Sequence, residues 1–416
     1  MSLWRDRDFL KLWAGQTISE VGSRITREGV PQIAARMLHA SPLDMGLMAA
    51  LGGIAALLVA PWAGVIADRY RLRPILIVAD IGRAMVIALI PIAAANGVLR
   101  LWTLYVVIGV AGALSVLFDV CYQALTPSLV DRERILDANT KLALSVGTAE
   151  AIGPATAGLL IQLLTAPIAM AIDAASFLVS ATSIAFIRKP ETVKARVEHL
   201  PSLEELTAGF RFVFSNPILR ALALRAANTS FFWGFFMALY VLYAVDDLKF
   251  TPVVLGLVVS LGGISNFIGS ALIPWVNRKF EPGTILIGAA LIQGMANLLI
   301  PLAPGPGLAA IACMGGSQLL GDVSFPVYNV QELTIRQSLA PETVLGRVNA
   351  AMQILFRGIL PIGALAGGLF AQYAGLRRTL FVCALGVLFS SLWLVFSPVR
   401  KLKRESFIDT GRGQNW

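Results

Sequence analysis

The sequence is poor in charged residues, histidine and cysteine. Only 14% of its 416 residues are charged, whereas soluble domains contain about 25%. The three cysteines, Cys121, Cys313 and Cys383, lie in apolar runs, so no disulfide framework is indicated. The two histidines, His39 and His199, fall in predicted loops, and no metal-ligand set, nucleophile triad or G-x-x-x-x-G-K-[S/T] phosphate loop is present in the sequence. The sequence therefore predicts neither an enzyme, nor an ATP-driven pump, nor a bound metal or other cofactor.

Long hydrophobic runs dominate the sequence, and 56% of the residues are hydrophobic. Runs of about 18 residues or more recur along the chain, each long enough to cross a bilayer core as a helix. Turn-forming segments such as HASPLD, ANGVLR and APGPG separate them. The sequence predicts an all-α membrane protein with twelve transmembrane helices. They are expected at 9–37, 45–67, 75–97, 101–126, 142–164, 166–187, 218–243, 252–276, 283–303, 307–332, 347–373 and 378–397.

Basic residues cluster in alternate loops, which accounts for the net charge of +9 without a nucleic-acid partner. By the positive-inside rule these loops and both termini are predicted to be cytoplasmic, in the plasma or inner membrane of the cell. Lys249 and the Arg377–Arg378 pair are exceptions on the outer side. The basic loops lie at 68–74, 131–141, 188–220, 277–283, 333–347 and after 400, and loops without Lys or Arg lie at 38–44, 164–167 and 301–307.

The two halves of the chain repeat at an offset of 210 residues without a gap. GLMAALGGIAALL from Gly46 aligns with GLVVSLGGISNFI from Gly256, and Gly158 aligns with Gly368. Two repeats with the same orientation are typical of transporters whose two bundles rock around a site at mid-membrane. The predicted parts are an N-terminal six-helix bundle, a cytoplasmic connector, a C-terminal six-helix bundle and a basic cytoplasmic tail, at 1–187, 188–217, 218–399 and 400–416.

The connector is predicted to contain an amphipathic helix. Ser202 and Glu205 fit an S-x-x-E capping box at its start. Leu203, Leu206 and Phe210 then recur at helical spacing. The pattern fits a helix that lies on the inner membrane surface, and equally a helix that packs on the cytoplasmic face of the bundle.

The loop between predicted helices 2 and 3 reads GVIADRYRLR. It resembles the major facilitator superfamily signature G-x-x-x-D-R-x-G-R-K/R through Gly64, Asp68, Arg69 and Arg73. The resemblance implies that Asp68 faces the N-terminus of helix 11, near Arg347, and latches the cytoplasmic side shut, while the arginines bind lipid phosphate. The alternative is that these charges serve only as a topology signal. Two further charges near the inner end of helix 3 are expected to belong to this cytoplasmic gate, namely Asp80 and Arg83.

Helix 5 carries AEAIGPATAGLL, which is similar to the superfamily's antiporter motif G-P-x-x-G-G through Gly153, Pro154 and Gly158. Other stretches, including FLKLWAGQTIS and PSLVDRERILDANTKL, resemble its drug:proton antiporter branch of macrolide-efflux and siderophore-exporter relatives. The resemblance covers roughly residues 8–400. One departure concerns helix 4, where many such antiporters carry an arginine linked to proton coupling and this chain has Asp119 in VLFDVCYQ. Packing alone also explains the glycines of helix 5.

Four charges occur within nine positions of helix 1, in SEVGSRITREGVP. At 100° per residue they share an arc of about 100°, which Gln16 extends. The opposite side, with Ile18, Val21, Ile25 and Gly29, is expected to face lipid. The charged side must line a cavity or meet another helix, because charges in lipid are costly. The four are Glu20, Arg24, Arg27 and Glu28.

The i,i+4 spacing predicts ion pairs Glu20–Arg24 and Arg24–Glu28. Arg27 is then free to meet a carboxylate of another helix, for which Asp173 and Glu150 are the candidates. Either a glutamate of helix 1 takes up protons, with Glu20 favoured as carrier and Glu28 as gate, or the charges form a static network. Arg357 on helix 11, which is the repeat mate of helix 5, completes the predicted cavity charges.

The C-terminal half is expected to supply an apolar, aromatic wall of the substrate cavity. TSFFWGFFMALYVLY on helix 7 is rich in aromatic residues and favours amphipathic substrates. Arg225 and Asp322 are its buried charges. The residues predicted to line the substrate cavity are Gln16, Trp233, Phe236, Tyr240 and Asp322.

These features predict a secondary active transporter that exports lipophilic or amphipathic small molecules, drug- or siderophore-like, in exchange for protons by alternating access. An importer or uniporter of one small metabolite on the same fold is the alternative, and a membrane enzyme or sensor is a third. The expected partners are a small-molecule substrate, protons and membrane lipids, and the chain is expected to be a monomer.

Overall fold

A computed structural model describes residues 3–189, 191 and 203–403, and in these residues it contains helices and no strand. Three short 3-10 helices occupy Leu3–Arg5, Arg132–Arg134 and Pro398–Lys401. The α-helices are α1 (Arg7–Arg36), α2 (Pro42–Arg69), α3 (Leu72–Ala95), α4 (Leu101–Leu129), α5 (Ile135–Leu164), α6 (Ala166–Ala185), α7 (Leu203–Ser215), α8 (Pro217–Asp246), α9 (Pro252–Lys279), α10 (Pro282–Asn297), α11 (Leu299–Leu302), α12 (Leu308–Asp322), α13 (Ser324–Leu339), α14 (Glu342–Ala374), α15 (Leu376–Phe389) and α16 (Leu392–Val395).

In this described part, eleven helical segments are long and apolar enough to cross a membrane. The pairs α10–α11, α12–α13 and α15–α16 each make one such segment, with an interruption inside it. Helix α1 has 30 residues but is not among the eleven. Its charges lower its hydropathy, so the predicted count of twelve spans depends on α1 and stays a prediction. The all-helical class is confirmed.

The internal repeat is visible in how two helices begin. Ser41 and Thr251, which are related by the 210-residue offset, are the N-caps of α2 and α9. Each side-chain oxygen accepts a hydrogen bond from a backbone N–H in the first turn. Each cap is followed by a proline at the first helical position, where the missing N–H costs nothing.

The first six helices pack mainly on one another, as do α8 to α16. The two groups meet chiefly along two seams, α5 against α9 and α2 against α14. Glycines allow the helix backbones to approach each other closely at both seams. A Cβ on Gly256 would lie 2.2 Å from the Pro154 carbonyl oxygen, and one on Gly368 would lie 2.6 Å from the Pro42 carbonyl oxygen. Gly158 faces Gly256 and Gly46 faces Gly368, so the 210-residue offset converts one seam into the other.

Polar contacts join the groups at the same end of the molecule. The Arg36 guanidinium donates to the Phe250 carbonyl. The Gln162 side-chain oxygen accepts from the Val253 N–H at 3.3 Å. This end carries the loops without basic residues, which the sequence places outside.

The opposite ends of the same helices diverge. A Cβ on Gly64 of α2 or on Gly346 of α14 would meet no atom within 4 Å, although α2 and α14 touch at Gly46 and Gly368. The molecule is therefore closed at one end and open at the end that carries the basic loops. If those loops are cytoplasmic, as predicted, this conformation is open to the cytoplasm.

Helix α1 does not present a lipid face opposite its charges, contrary to the prediction. Ile18 is about half exposed, but Ile25 is buried. Gly22 and Gly29 on that side approach α6 closely, and a Cβ on Gly22 would lie 2.2 Å from the Ser176 hydroxyl oxygen. Gly15, Gly22 and Gly29 recur every seven residues along α1. Glycines that recur on one side of a helix let a second helix approach closely, so this spacing is a sequence signal for a helix contact on that side.

The connector helix α7 packs on the bundle in its described part. Val213 is fully buried, and a Cβ on Gly209 would lie 2.4 Å from the Arg347 carbonyl oxygen of α14. This contact favours the second of the two predicted arrangements. The predicted capping residue Ser202 lies outside the described residues.

Candidate functional site

An ion pair joins α1 to α5 near the middle of the molecule. The Arg24 guanidinium contacts the Glu150 carboxylate at 3.1 Å. The side chain of Arg24 is 10% exposed and that of Glu150 is 39% exposed. The predicted pairs of Arg24 with Glu20 and with Glu28 are not formed in the described part of the chain, since Arg24 turns toward α5 instead. Intrahelical spacing permits a pair but does not outweigh a partner across a helix interface.

Gly153 makes room for this arginine. A Cβ at position 153 would lie 2.6 Å from Cγ of Arg24, so the arginine stem occupies the space above the bare backbone. Pro154 and Gly158 from the same predicted motif instead form the seam with α9. The three motif residues therefore divide between two contacts, one to the ion pair and one to the opposite half.

Four further charges, the cavity cluster (Glu20, Arg27, Asp119 and Arg357), come together from α1, α4 and α14. Asp119 interacts electrostatically most strongly with Arg83 of α3, and also with the other three. Arg27, Asp119 and Arg357 are exposed and Glu20 is partly exposed. Exposed charges on inner helices indicate a water-filled opening between the halves, because lipid would not tolerate them.

The cavity cluster adds one residue to the site and corrects one prediction. Asp119, which the sequence singled out only as a departure from the family pattern, is exposed among the cavity charges. Arg27 forms no ion pair with Asp173 or Glu150 in the described residues. Its charge is balanced through space by Glu28, Glu20 and Glu150. The only sequence signal for Asp119 was its place on helix 4, where related antiporters carry a charged residue.

Asp173 lies outside the cavity, contrary to the prediction. Its side chain is completely buried between α6 and α1. The Thr26 hydroxyl donates to one carboxylate oxygen, and the Ser176 hydroxyl contacts the other at 3.1 Å. The side of α6 that carries Asp173 faces the glycine side of α1, which the sequence assigned to lipid.

Gln16 also differs from its predicted place in the substrate cavity. It is buried, and its side-chain amide donates to the Ser180 hydroxyl at 2.8 Å. It therefore belongs to the packed interface between α1 and α6.

Asp80 and Arg83 form a buried ion pair inside the N-terminal half. The Arg83 guanidinium lies between two aromatic rings, 4.1 Å from the centre of Phe118 and 4.3 Å from that of Phe177. Stacking on ring faces stabilises a cation in a low-dielectric interior. This pair ties α3 to α4 and α6 and has no described contact with the 68–73 loop, where the sequence grouped it.

We expect Arg83→Ala to lower the free energy of unfolding by about 3–5 kcal/mol, because it leaves the Asp80 carboxylate buried without a partner. The double variant Arg83→Leu/Asp80→Leu should be more stable than the single one. Thermal unfolding of the purified protein measures both, with exposed Arg278→Ala as the matched control. A single variant as stable as the wild type would contradict the assignment.

The signature loop is anchored but not latched in this conformation. The Arg73 guanidinium donates to the Ile187 carbonyl at 3.2 Å and to the Lys189 carbonyl. Asp68 makes no hydrogen bond or ion pair in the described residues, and the space around Gly64 is open. The predicted contact of Asp68 with the start of α14 is not formed in the described residues of this conformation and stays a prediction. The binding of lipid phosphate by Arg69 stays a prediction.

The aromatic wall is only partly accessible. Trp233 and Phe236 pack with ring centres 5.8 Å apart. Phe236 is buried, whereas Trp233, Tyr240 and Asp322 are partly exposed. The structure therefore retains three of the four predicted C-terminal cavity residues as accessible and assigns Phe236 to the packing behind them. Arg225 is buried over the Tyr328 ring and donates to Gln293 at 3.2 Å, away from this wall.

In the described residues, no group of three His, Cys, Asp or Glu side chains is placed to hold a metal ion. The candidate site thus comprises charges on α1, α4, α5 and α14 together with the accessible aromatic and acidic residues of α8 and α12. A family model described as transmembrane secretion effector matches residues 1–412. The chain belongs to this family of major facilitator superfamily transporters.

Curated relatives of this transporter span almost its whole length. An uncharacterized MFS-type transporter of Bacillus subtilis, YfiS, is 25% identical and covers 98% of this chain and 97% of its own length. Macrolide efflux protein A of Streptococcus pyogenes is 24% identical over 90% of this chain and 93% of its own length. The family and these relatives are transporters rather than enzymes, and the transporter is a multi-pass membrane protein.

Solved structures share the fold. A bacterial homologue of the iron transporter ferroportin, in an inward-facing state, superimposes with a TM-score of 0.73 at 18% identity. The match covers 95% of this chain and 99% of that chain. At this identity the likeness establishes the major facilitator fold and not the substrate.

Proposed function

We propose that this transporter exports lipophilic or amphipathic small molecules in exchange for protons, by alternating access. The observation that carries the proposal is the combination of glycine seams that close one end with a charged cavity open at the other. Alternating access requires one site that each end can reach in turn. The relative named as a macrolide efflux protein supports the export direction.

The arrangement in the membrane follows from the same proposal. The transporter works as a monomer in the cell membrane with both termini in the cytoplasm, and the cavity faces the cytoplasm in this conformation. Closing the cytoplasmic end would bring Asp68 of α2 to the positive end of α14. The glycine seams at the other end would separate in the same movement.

Glu20 is the proposed proton carrier. It is partly exposed and lies in the cavity cluster with two arginines and Asp119. A carboxylate there can exchange protons with the open end, whereas Glu150 is held by Arg24. Glu28 is more buried than Glu20 and lies nearer the closed end, which suits a gate.

The direct test is transport by the purified protein in liposomes under an imposed pH gradient, with a panel of lipophilic compounds. We expect uphill movement of at least one compound, coupled to a counterflow of protons that a trapped pH dye reports. Movement that follows only the compound's own gradient would establish the uniporter alternative instead. No flux of any compound, with or without a gradient, would contradict transport of this substrate class.

Glu20→Gln is expected to abolish the dependence of transport on the pH gradient and to leave gradient-free substrate exchange in place. The amide keeps the shape of the side chain but cannot bind or release a proton at this position. The matched control is Asp131→Asn, which alters an exposed carboxylate in the loop between α4 and α5. Unchanged pH dependence in Glu20→Gln would assign proton carriage to another group.

A further inference from the structure

The acidic residues of the cavity differ between the two halves in whether a basic side chain balances their charge. Glu150 has Arg24, and Glu20 and Asp119 have the two arginines of the cavity cluster. Asp322 on α12 forms no ion pair or hydrogen bond in the described residues, and no basic side chain acts on it electrostatically. It is nevertheless partly exposed and therefore reachable. A charge in the middle of a helical bundle normally has a partner.

The backbone around Asp322 holds this carboxylate in place. Asp322 is the last residue of α12, next to the interruption at Val323. A Cβ on Gly262 of α9 would lie 2.3 Å from a carboxylate oxygen of Asp322 and 3.2 Å from the side-chain nitrogen of Gln318. The carboxylate therefore lies against bare backbone, in a space that any other residue at position 262 would fill.

A second polar group near Asp322 also lacks a partner. The Tyr240 hydroxyl is buried without a hydrogen-bond partner in the described residues, and Asp322 acts on it electrostatically. Glu28 acts on Tyr240 as well, but its charge is balanced by Arg27 and Arg24. Asp322 is therefore the carboxylate near this phenol that no basic side chain of the described residues compensates.

An aromatic surface adjoins these groups. Trp233 lies seven residues before Tyr240, on the same side of α8, and is partly exposed. Faces of Trp and Tyr rings attract organic cations, most strongly away from bulk water. A carboxylate without a counter-ion, such as Asp322, repels an anion and attracts a cation. The combination selects for positive charge on an otherwise apolar molecule.

From this geometry we infer that Asp322, with Tyr240 and Trp233, binds the positively charged group of a lipophilic organic cation, such as a protonated amine. Asp322 is the counter-ion, and the ring faces hold the apolar part around the charge. The inference rests on the proposed function in one respect, namely that this ligand is the exported substrate. Neutral and anionic lipophiles are expected to bind more weakly.

The test is equilibrium binding to the purified full-length protein without any gradient. Tetraphenylphosphonium and tetraphenylborate have nearly the same size and shape and opposite charge, so they isolate the effect of charge sign. We expect the phosphonium to bind at least about tenfold more tightly than the borate. Equal affinities, or no binding of the phosphonium, would overturn the inference.

Asp322→Asn is expected to weaken phosphonium binding at least about tenfold and to leave borate binding unchanged or stronger. Gly262→Ala should weaken phosphonium binding too, because its Cβ displaces the carboxylate without removing it. Asp131→Asn is the matched control, and gel filtration with thermal unfolding checks that each variant is folded. Phosphonium affinity in Asp322→Asn equal to the wild type would overturn the role of Asp322.

Binding and transport give separable outcomes. Charge-selective binding that depends on Asp322, without proton-coupled flux, would reject the exporter and retain the cation site. Proton-coupled flux with equal affinity for both ions would retain the exporter and reject the cation site.

Discussion

Replacing Gly256 with leucine is expected to abolish transport. A Cβ at this position would lie 2.2 Å from the Pro154 carbonyl oxygen, and no side-chain movement relieves a clash with backbone. The seam between α5 and α9 would have to open, which disfavours the conformation seen here. Gradient-driven transport in liposomes should fall at least about tenfold, because every transport cycle has to pass through the conformation that the substitution disfavours.

A labelling measurement shows whether the loss is conformational. A cysteine in place of Ala157, which is fully buried next to Gly158, should react faster with a membrane-impermeant maleimide in Gly256→Leu than in the wild type. Gly288→Leu is the matched control, since an added Cβ there meets no atom within 4 Å. Normal transport or unchanged labelling in Gly256→Leu would show that the seam does not have to close as tightly as it does here.

Arg24→Ala is expected to reduce transport at least about tenfold and stability by about 1–3 kcal/mol, between the values for exposed and for fully buried pairs. It removes the only described ion-pair partner of Glu150 and leaves a void above Gly153. Glu150→Gln should be milder, because the amide still accepts a hydrogen bond and its side chain is 39% exposed. Gradient-driven efflux and thermal unfolding measure these effects.

Gly153→Ala tests whether the helix 5 motif acts through this arginine. The added Cβ would lie 2.6 Å from Cγ of Arg24, so the single variant should resemble Arg24→Ala. In the Arg24→Ala background the same change should have a smaller further effect, because only Cβ of residue 24, 2.9 Å from the added Cβ, remains of the side chain that it displaces. A loss that is additive in the double variant would indicate that Gly153 acts on something other than Arg24.

Much of the fold followed from pattern alone. Apolar runs predicted the helices, and the 210-residue offset predicted that Gly46 and Gly256, and Gly158 and Gly368, hold equivalent places. The caps at Ser41 and Thr251 confirm this equivalence at the level of single hydrogen bonds. The interruption at Val323 in predicted helix 10 was not predicted, although Pro326 marks it: a proline at this position cannot donate the helical hydrogen bond to the Asp322 carbonyl.

The site was predicted less completely. Helical angles correctly grouped the charges of α1 on one side but assigned the other side to lipid, where α6 packs on Gly22 and Gly29. Intrahelical spacing suggested partners for Arg24, whereas Glu150 lies 126 positions away in sequence. Asp119 attracted notice only as a departure from a family pattern. Each difference concerns which helix lies next to which.

The sequence by itself determined that this chain is a helical membrane protein built from two like halves, because hydrophobic length and repeat spacing are local or periodic properties. It also determined which residue types had to find polar surroundings in an apolar protein. Only the tertiary structure decided that Arg24 meets Glu150, that Asp173 and Gln16 are buried between α1 and α6, and that Asp322 has no counter-ion among the residues that the structure describes. These outcomes depend on distances between helices far apart in the chain, which packing fixes.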